Sequence, residues 1–491
     1  MKRLRSKSFS AQISPVVALR YSSRLASIPS TPSRELYRRA TTGEICAEKD
    51  FDLKRFIPAV RRLVKQHGIA YDPATPVPCD DDLADRVWEA GRELFLDVGV
   101  YCVDTERLIR FDEAELDQAL AHAPRRVVLG SGQYARTIPV RRPECDVMPF
   151  FSLGACGAPV ASDEVFMSLT QAYCELPYID AVASPALTQV DGLPIVAGSP
   201  LEVEGCVRTV TIAREAARRA GKSGLGIANT VPTAVRSQGH IAGNAAAADQ
   251  FDMMEIGGHA EFKIDFDSMS KIAYMLSRGR TILGETGPVL GGYAGGPEGC
   301  AVAMAGYHFF ALLVLRASVQ HPFTSHFQTQ SCTSRQAIWL RSVSLQAITR
   351  HSDVPCLESG TYAAGPGTEM NLFEAAAMAA PSVVSGASVE SGPSARGTHP
   401  DFLMPLTNLF AAEVGRSVVG RSRADVNAIV LQLLEKYEDK LEAPPAGRRY
   451  QDGYDLASRR PDVETVAVYR SAREELTRMG LEFKDPPFYA C

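Results

Sequence analysis

The chain has 491 residues, 45% of them apolar and 22% charged, with a net charge of −5. That is a soluble globular composition in a chain longer than one ordinary domain. The acidic balance, with no Lys/Arg stripe interleaved with aromatics, argues against a nucleic-acid binder. No apolar run reaches the ~18 residues of a membrane span, and the closest, Tyr307–Leu315, reads as a buried helix.

Residues 1–30 hold six Lys or Arg, many Ser and no Asp or Glu. Such a segment is an organellar transit peptide, a disordered basic tail, or the product of a start codon set too far upstream; it has no apolar core of a secretory signal. Residues 31–145 are expected to form a helical extension. Phe51–His67 and Asp82–Val98 carry apolar residues at helical spacing, Asp112–Ala121 opens with an acidic cap, and Val127–Gly132 is a short strand.

Residues 146–400 alternate short apolar runs with longer amphipathic segments. The predicted strands are Pro149–Leu153, Ile179–Ser184, Gly224–Asn229, Ala260–Asp265, Thr281–Glu285, Pro322–Gln328, Val354–Glu358 and Ser382–Ala387. Predicted helices at Ser162–Glu175, Pro200–Ala220, Asp267–Arg278, Gly299–Ser318, Ser334–Arg350 and Thr368–Ala380 separate most of them. Eight βα units in that length predict an α/β fold, a (β/α)8 TIM barrel. A doubly wound sheet is the alternative, and no GxGxxG opens a strand-to-helix turn to support it. Residues 401–491 are expected to be a second helical extension, concerned with packing or subunit contact.

A barrel gathers the C-terminal ends of its strands at one mouth. Read that way, the mouth receives Ser152, Ser184, Asn229, Asp265, Glu285, His326, Gln328, Gln330, Glu358, Ser359, Tyr362 and Ser385. Glu285 ends the strand Thr281–Glu285 and opens a loop with six glycines between Gly284 and Gly296. Glu285 and Glu358 are candidates for two carboxylates in one pocket, where repulsion would raise one pKa; equally, each caps a helix or pairs with an Arg. In Phe323–Gln328, strand alternation puts His326 and Gln328 on one face and leaves His321 on the other. His240 is expected in a loop near the mouth. Gly291, Gly292, Tyr293, Gly295 and Gly296 lack the Lys-Ser/Thr of a phosphate loop and read instead as clearance for a flat partner. The eleven cysteines contain no CxxC pair, so reduced cytoplasmic thiols are expected, no metal ligand set is visible, and Cys332 and Cys356 are only marginal site candidates.

GGYAGG at 291–296, AGPGTEM at 364–370, SPLEV at 199–203, EVFM at 164–167 and APPAG at 443–447 (one Pro longer than the family's form) resemble the monomethylamine:corrinoid methyltransferases. The similarity runs from about Arg34 to about Phe483. It implies a TIM barrel, a homo-oligomer that is usually a hexamer, and methyl transfer from an N-methylated amine to the Co(I) corrinoid (cobalamin) of a separate small corrinoid-binding protein, with no tightly bound cofactor, no metal, no nucleic acid and no membrane. It also implies that Glu285 is the family's catalytic glutamate and that His326 matches a family histidine.

The departures from that pattern are specific. The family's pyrrolysine position falls on Ala228, its substrate-side Gln and Tyr fall on Ser359 and Thr361, and Gln328 and Thr329 replace an Arg-Trp pair. The resemblance therefore implies a homologue lacking pyrrolysine, with a monomethylamine-like or larger, quaternary amine as donor. Ala228, Asn229, Asp265, His326, Gln328, Glu358, Ser359 and Tyr362 are its expected substrate-binding set, and Tyr293, Phe327 and Tyr362 its cation-facing aromatics. A barrel hydrolase or lyase using Glu285 and Glu358 as acid and base, or a non-catalytic homologue, is the alternative.

Overall fold

Short apolar runs that end in glycine or a polar residue, each followed by a segment with 3.6-residue periodicity, fold here into alternating strands and helices. The computed structural model describes residues 32–489, so the basic segment 1–30 lies outside the described residues. Eight strands follow in chain order: β1 Phe151–Gly154, β2 Ala181–Ala183, β3 Gly226–Asn229, β4 Met253–Gly257, β5 Thr281–Thr286, β6 Val319–Pro322, β7 Leu357–Glu358 and β8 Ser388–Glu390. Eight helices alternate with them: α1 Asp163–Glu175, α2 Pro200–Arg219, α3 Ser237–Ala247, α4 Phe266–Ser277, α5 Pro297–Phe310, α6 Arg335–His351, α7 Glu369–Val384 and α8 Pro405–Ser417.

The ladders are parallel, and the first strand pairs with the last, which closes the ring. Strand β2 pairs with β3, β4 with β5, β5 with β6, and β7 with β8. A parallel bridge between Gln320 and Cys356 joins β6 to β7. Side chains complete the seam between β3 and β4: Ile227 N donates to Asp252 Oδ1 at 2.9 Å and Asn229 Nδ2 to Glu255 Oε2 at 3.0 Å. This is a TIM barrel, the expected fold.

Ala181, Ala183, Ala228, Met253, Leu283, Val319 and Leu357 fill the barrel interior, and Val127 and Leu129 of a hairpin pack with them. That apolar plug makes the barrel a packed core with chemistry confined to its rim. Polar side chains cap the helices at their N-termini, among them Ser162, Ser199, Asp265, Ser334 and Thr368. The extensions lock on through charge and packing. Lys263 pairs with Glu48 and Asp52, and Arg473 with Glu413 of α8.

Five expectations are corrected. The run Ala260–Asp265 is not a barrel strand: Lys263–Ile264 pairs with Tyr101–Cys102 of the N-terminal extension, and the fourth barrel strand is Met253–Gly257. The sixth strand is Val319–Pro322, ahead of the expected Pro322–Gln328. The eighth is Ser388–Glu390, because α7 continues through Pro381 to Val384 and occupies the expected strand. His240 lies in helix α3 rather than in a loop. Finally, the apolar run Pro297–Leu315, which is α5 with one further π-helical turn, is long and apolar enough to cross a membrane, but it is buried as a core helix.

Candidate active site

The pleat of each strand decides which side chains reach the mouth, since alternate residues face opposite sides. Leu283 packs in the barrel plug, so Glu285, two residues on, faces the interior one layer higher. By the same rule Met253 places Glu255 inward, Val319 places His321 inward, and Leu357 places Ser359 inward. Glu285 is registered against Gly257 on one side and His321 on the other. Glu390 of β8 is registered against Ser152 of β1.

The polar layer is closely connected. Ser359 Oγ and His321 Nε2 share a hydrogen bond at 2.7 Å. His321 Nδ1 stands 3.8 Å from Glu255 Oε2, and Nε2 stands 3.5 Å from Glu390 Oε2. Ser152 Oγ donates to Glu390 Oε1 at 2.9 Å. Burial first, then the charge of Glu285 and a hydrogen bond with it, then the charge of Glu390, push the Glu255 carboxyl far above the usual carboxylate range, against the bond from Asn229. The Glu255 carboxyl thus holds its proton more tightly than a free glutamate does. Burial also lifts Glu390, opposed by the neighbouring His321 and by the bond from Ser152.

Two cavities meet at this layer. The larger, about 350 Å³, is lined by Asn229, His240, Glu255 and Glu285 among others. The smaller, about 210 Å³, is lined by Glu255, Glu285, His321, Ser359 and Arg396 among others. Cys156 lines both; it has a left-handed backbone (φ 46°), and burial followed by Glu390 and Glu255 raises its thiol well above the usual range. Burial holds the His240 imidazole down at about 3, so it enters the larger cavity neutral. Among the described residues no Lys or Arg is ion-paired with Glu255, Glu285 or Glu390.

Of the residues singled out in the sequence, Glu285, Asn229, Ser359, Ser152 and His240 come together at the mouth. Ala228 sits at a β-bulge just below it, with its methyl group in the apolar plug. Glu358, Asp265 and Tyr362 lie elsewhere. Glu358 follows the inward Leu357 and so points outward, where Arg341 of α6 and Ser382 of α7 hold it in a buried ion pair. Asp265 caps α4 and pairs with His259 at 3.1 Å. Burial alone would raise its carboxyl, but His259 and the Ser268 amide outweigh that and hold it well below the usual range.

Tyr362 is fully buried, with its hydroxyl accepting from Gly392 N at 3.3 Å; it lines neither cavity. His326 sits on the rim strand Ser325–His326, beside Val289–Leu290, where its Nδ1 accepts from Gln328 N at 3.3 Å. Cys332 and Cys356 are buried away from both cavities. The sequence reading missed Glu255 and Glu390 and set His321 aside.

The glycine loop forms part of the rim. Gly291 has φ 88°, and a Cβ there would meet the Phe327 ring at 2.7 Å, while one at Gly295 (φ 82°) would meet nothing within 4 Å. Gly291 N donates to Gly295 O at 2.9 Å, folding Gly292 and Tyr293 into a tight turn. Tyr293 and Phe327 stay about half exposed beside it.

Residues 33–481 match the family model described as monomethylamine methyltransferase MtmB. Monomethylamine methyltransferase MtmB2 of Methanosarcina acetivorans is 30% identical over 453 residues, covering 91% of this chain and 98% of that protein. MtmB3 of Methanosarcina barkeri gives the same identity and coverage. The crystal structure of the Methanosarcina barkeri enzyme superposes with a TM-score of 0.89 at 29% identity, covering 92% of this chain and 98% of that one, and so does its hydroxylamine complex.

Proposed function

Because the chain belongs to the monomethylamine methyltransferase MtmB family and is a methyltransferase, we propose that it moves a methyl group from an N-methylated amine to the Co(I) corrinoid of a small partner protein. The observation that carries this reading is the charge of the mouth. Glu255, Glu285 and Glu390 converge beside two cavities, and no Lys or Arg of the described residues neutralises them. A partly buried carboxylate cluster that no Lys or Arg pairs with is a site for a cation. An ammonium substrate supplies that charge.

The chain's own groups then have defined work. Glu285 accepts the N–H bonds or the charge of the ammonium and fixes the methyl carbon toward the open mouth. His321, held by Ser359, and Asn229, bonded to Glu255, keep the neighbouring carboxyl groups in place. The reduced corrinoid, as methyl acceptor, supplies the nucleophile. The rim suits such a flat acceptor: the tight turn at Gly291, Gly292, Gly295 and Gly296 keeps the edge low, and Tyr293 and Phe327 offer apolar contact. The larger cavity, about 350 Å³, falls in the ~300–1,000 Å³ range of ligand pockets, which supports a donor bigger than methylamine.

Position 228 bears on the donor. Ala228 offers no electrophile to capture a primary amine, whereas a quaternary ammonium leaves as a neutral tertiary amine and needs none. The reading of Glu285 and Glu358 as an acid–base pair loses its second member to Arg341. The test incubates the protein with a reduced corrinoid protein and a panel of methylamines and quaternary amines, following corrinoid methylation by absorbance. Methylation by at least one cationic donor is expected; none from any donor would overturn the proposal.

A further inference from the structure

The rim residues Glu255, which is partly buried, and His321 and Glu390, which are buried, come from β4, β6 and β8, and one ligand atom from each lies within 4.8 Å of the others. Each is anchored from behind. Ser359 holds His321 Nε2, Ser152 holds Glu390 Oε1, and Asn229 bonds Glu255. The atoms left over have no partner. His321 Nδ1 and Glu390 Oε2 make no hydrogen bond, although the His321 side chain is 3% exposed and that of Glu390 0%. Nδ1 lies 3.8 Å from Glu255 Oε2, and Glu390 Oε2 lies 3.5 Å from Nε2 on the other side of the same ring. Orphaned buried polar atoms are costly unless something fills the space, and a carboxylate pair around an imidazole is a ligand set.

We infer that Glu255, His321 and Glu390 bind a divalent first-row transition ion, Zn2+ being the best match for one imidazole and two carboxylates. Zinc–ligand bonds of ~2.0–2.2 Å put neighbouring tetrahedral ligand atoms about 3.4 Å apart, so ligand atoms that lie within 4.8 Å of one another draw together as the ion binds. A ligating imidazole is normally held through its other nitrogen, and ligating carboxylates are hydrogen-bonded in turn; Ser359, Ser152 and Asn229 stand where those supports belong. Three protein ligands leave a position open, the pattern of a catalytic rather than a structural site, and here it faces the smaller cavity with Glu285. The charges are compatible with an amine substrate. Glu255, Glu285 and Glu390, when ionised, carry three negative charges, and a divalent ion leaves one for a single ammonium. This inference uses the site described above, but its test needs no methyl donor, so either can fail without the other.

The full chain is dialysed against a chelator and titrated with Zn2+, with bound metal measured by elemental analysis. Co2+ serves as a second probe, read by its visible spectrum. Wild type should hold one ion per chain, and the Co2+ spectrum should show a low-symmetry nitrogen–oxygen site. Glu390→Gln, which keeps the side chain's shape, should weaken Zn2+ at least tenfold, and His321→Asn should weaken it further. No bound ion in wild type would overturn the inference. Equal affinity in wild type and Glu390→Gln, or a thiolate charge-transfer band with Co2+, would also overturn it by placing the ion elsewhere.

Discussion

The mouth and the helical layer behind it are built from the same residue types and do opposite work. Behind β7, Glu358 is fully buried, yet Arg341 and Ser382 satisfy it. Glu374 of α7 is fully buried too, and accepts from Thr333, Ser331, Ala363 N and Ala364 N. Glu413 of α8 holds Arg473 and Tyr469 of the C-terminal extension. At the mouth, Glu390 and His321 are equally buried but keep unpartnered atoms. Burial therefore does not mark the site. What sets the mouth apart from these three glutamates is unused polar capacity on side chains that converge beside two cavities.

That contrast predicts separable losses. The largest stability effect should come from Arg341→Met, which strands the Glu358 carboxylate. Removing one partner of a buried ion pair costs about 3–5 kcal/mol, so denaturant unfolding should shift by that amount while activity per folded molecule stays near wild type. A large loss of activity in the folded fraction would place Glu358 in the site after all.

A smaller effect is expected at Glu374. Burial lifts its carboxyl to about 7, against the bonds from Thr333, Ala364, Ala363 and Ser331. A carboxyl raised on folding binds its proton more tightly in the native state, so its stabilising contribution is full below about pH 4.5 and is lost as pH rises through about 7. Wild type should lose about 1–3 kcal/mol of stability between pH 5 and 8, and Glu374→Gln should lose less. Identical pH slopes would mean that Glu374 ionises as freely folded as unfolded.

The barrel and half of its mouth were legible in the sequence, because the βα rhythm depends on apolar runs that burial enforces. Glu285 was found where a clean apolar strand stops at a carboxylate before glycines. The other half was lost to small displacements, since in a strand the side-chain face alternates at every residue. Ala260–Asp265 alternates like a barrel strand, but its pairing partner is Tyr101–Cys102, and the true strand two turns earlier carried Glu255. Setting the sixth strand at Pro322–Gln328 put His326 on the mouth in place of His321. Pro381 reads as a helix stop, yet α7 runs through it, so the eighth strand was set too early and Glu390 was missed. Glu358 sits at a strand end as expected; only the inward packing of Leu357 reveals that it faces the other way.

The most direct measurement is the methyl-transfer rate of Glu285→Gln against wild type with the same amine and reduced corrinoid protein, alongside the melting temperature of each. The substitution keeps the shape and removes the charge at the meeting point of the two cavities. The account predicts a loss of about 10²–10³-fold in rate, the scale for removing one electrostatic contact to a reacting group, with the melting temperature unchanged or higher. A variant that folds and transfers methyl at the wild-type rate would contradict it.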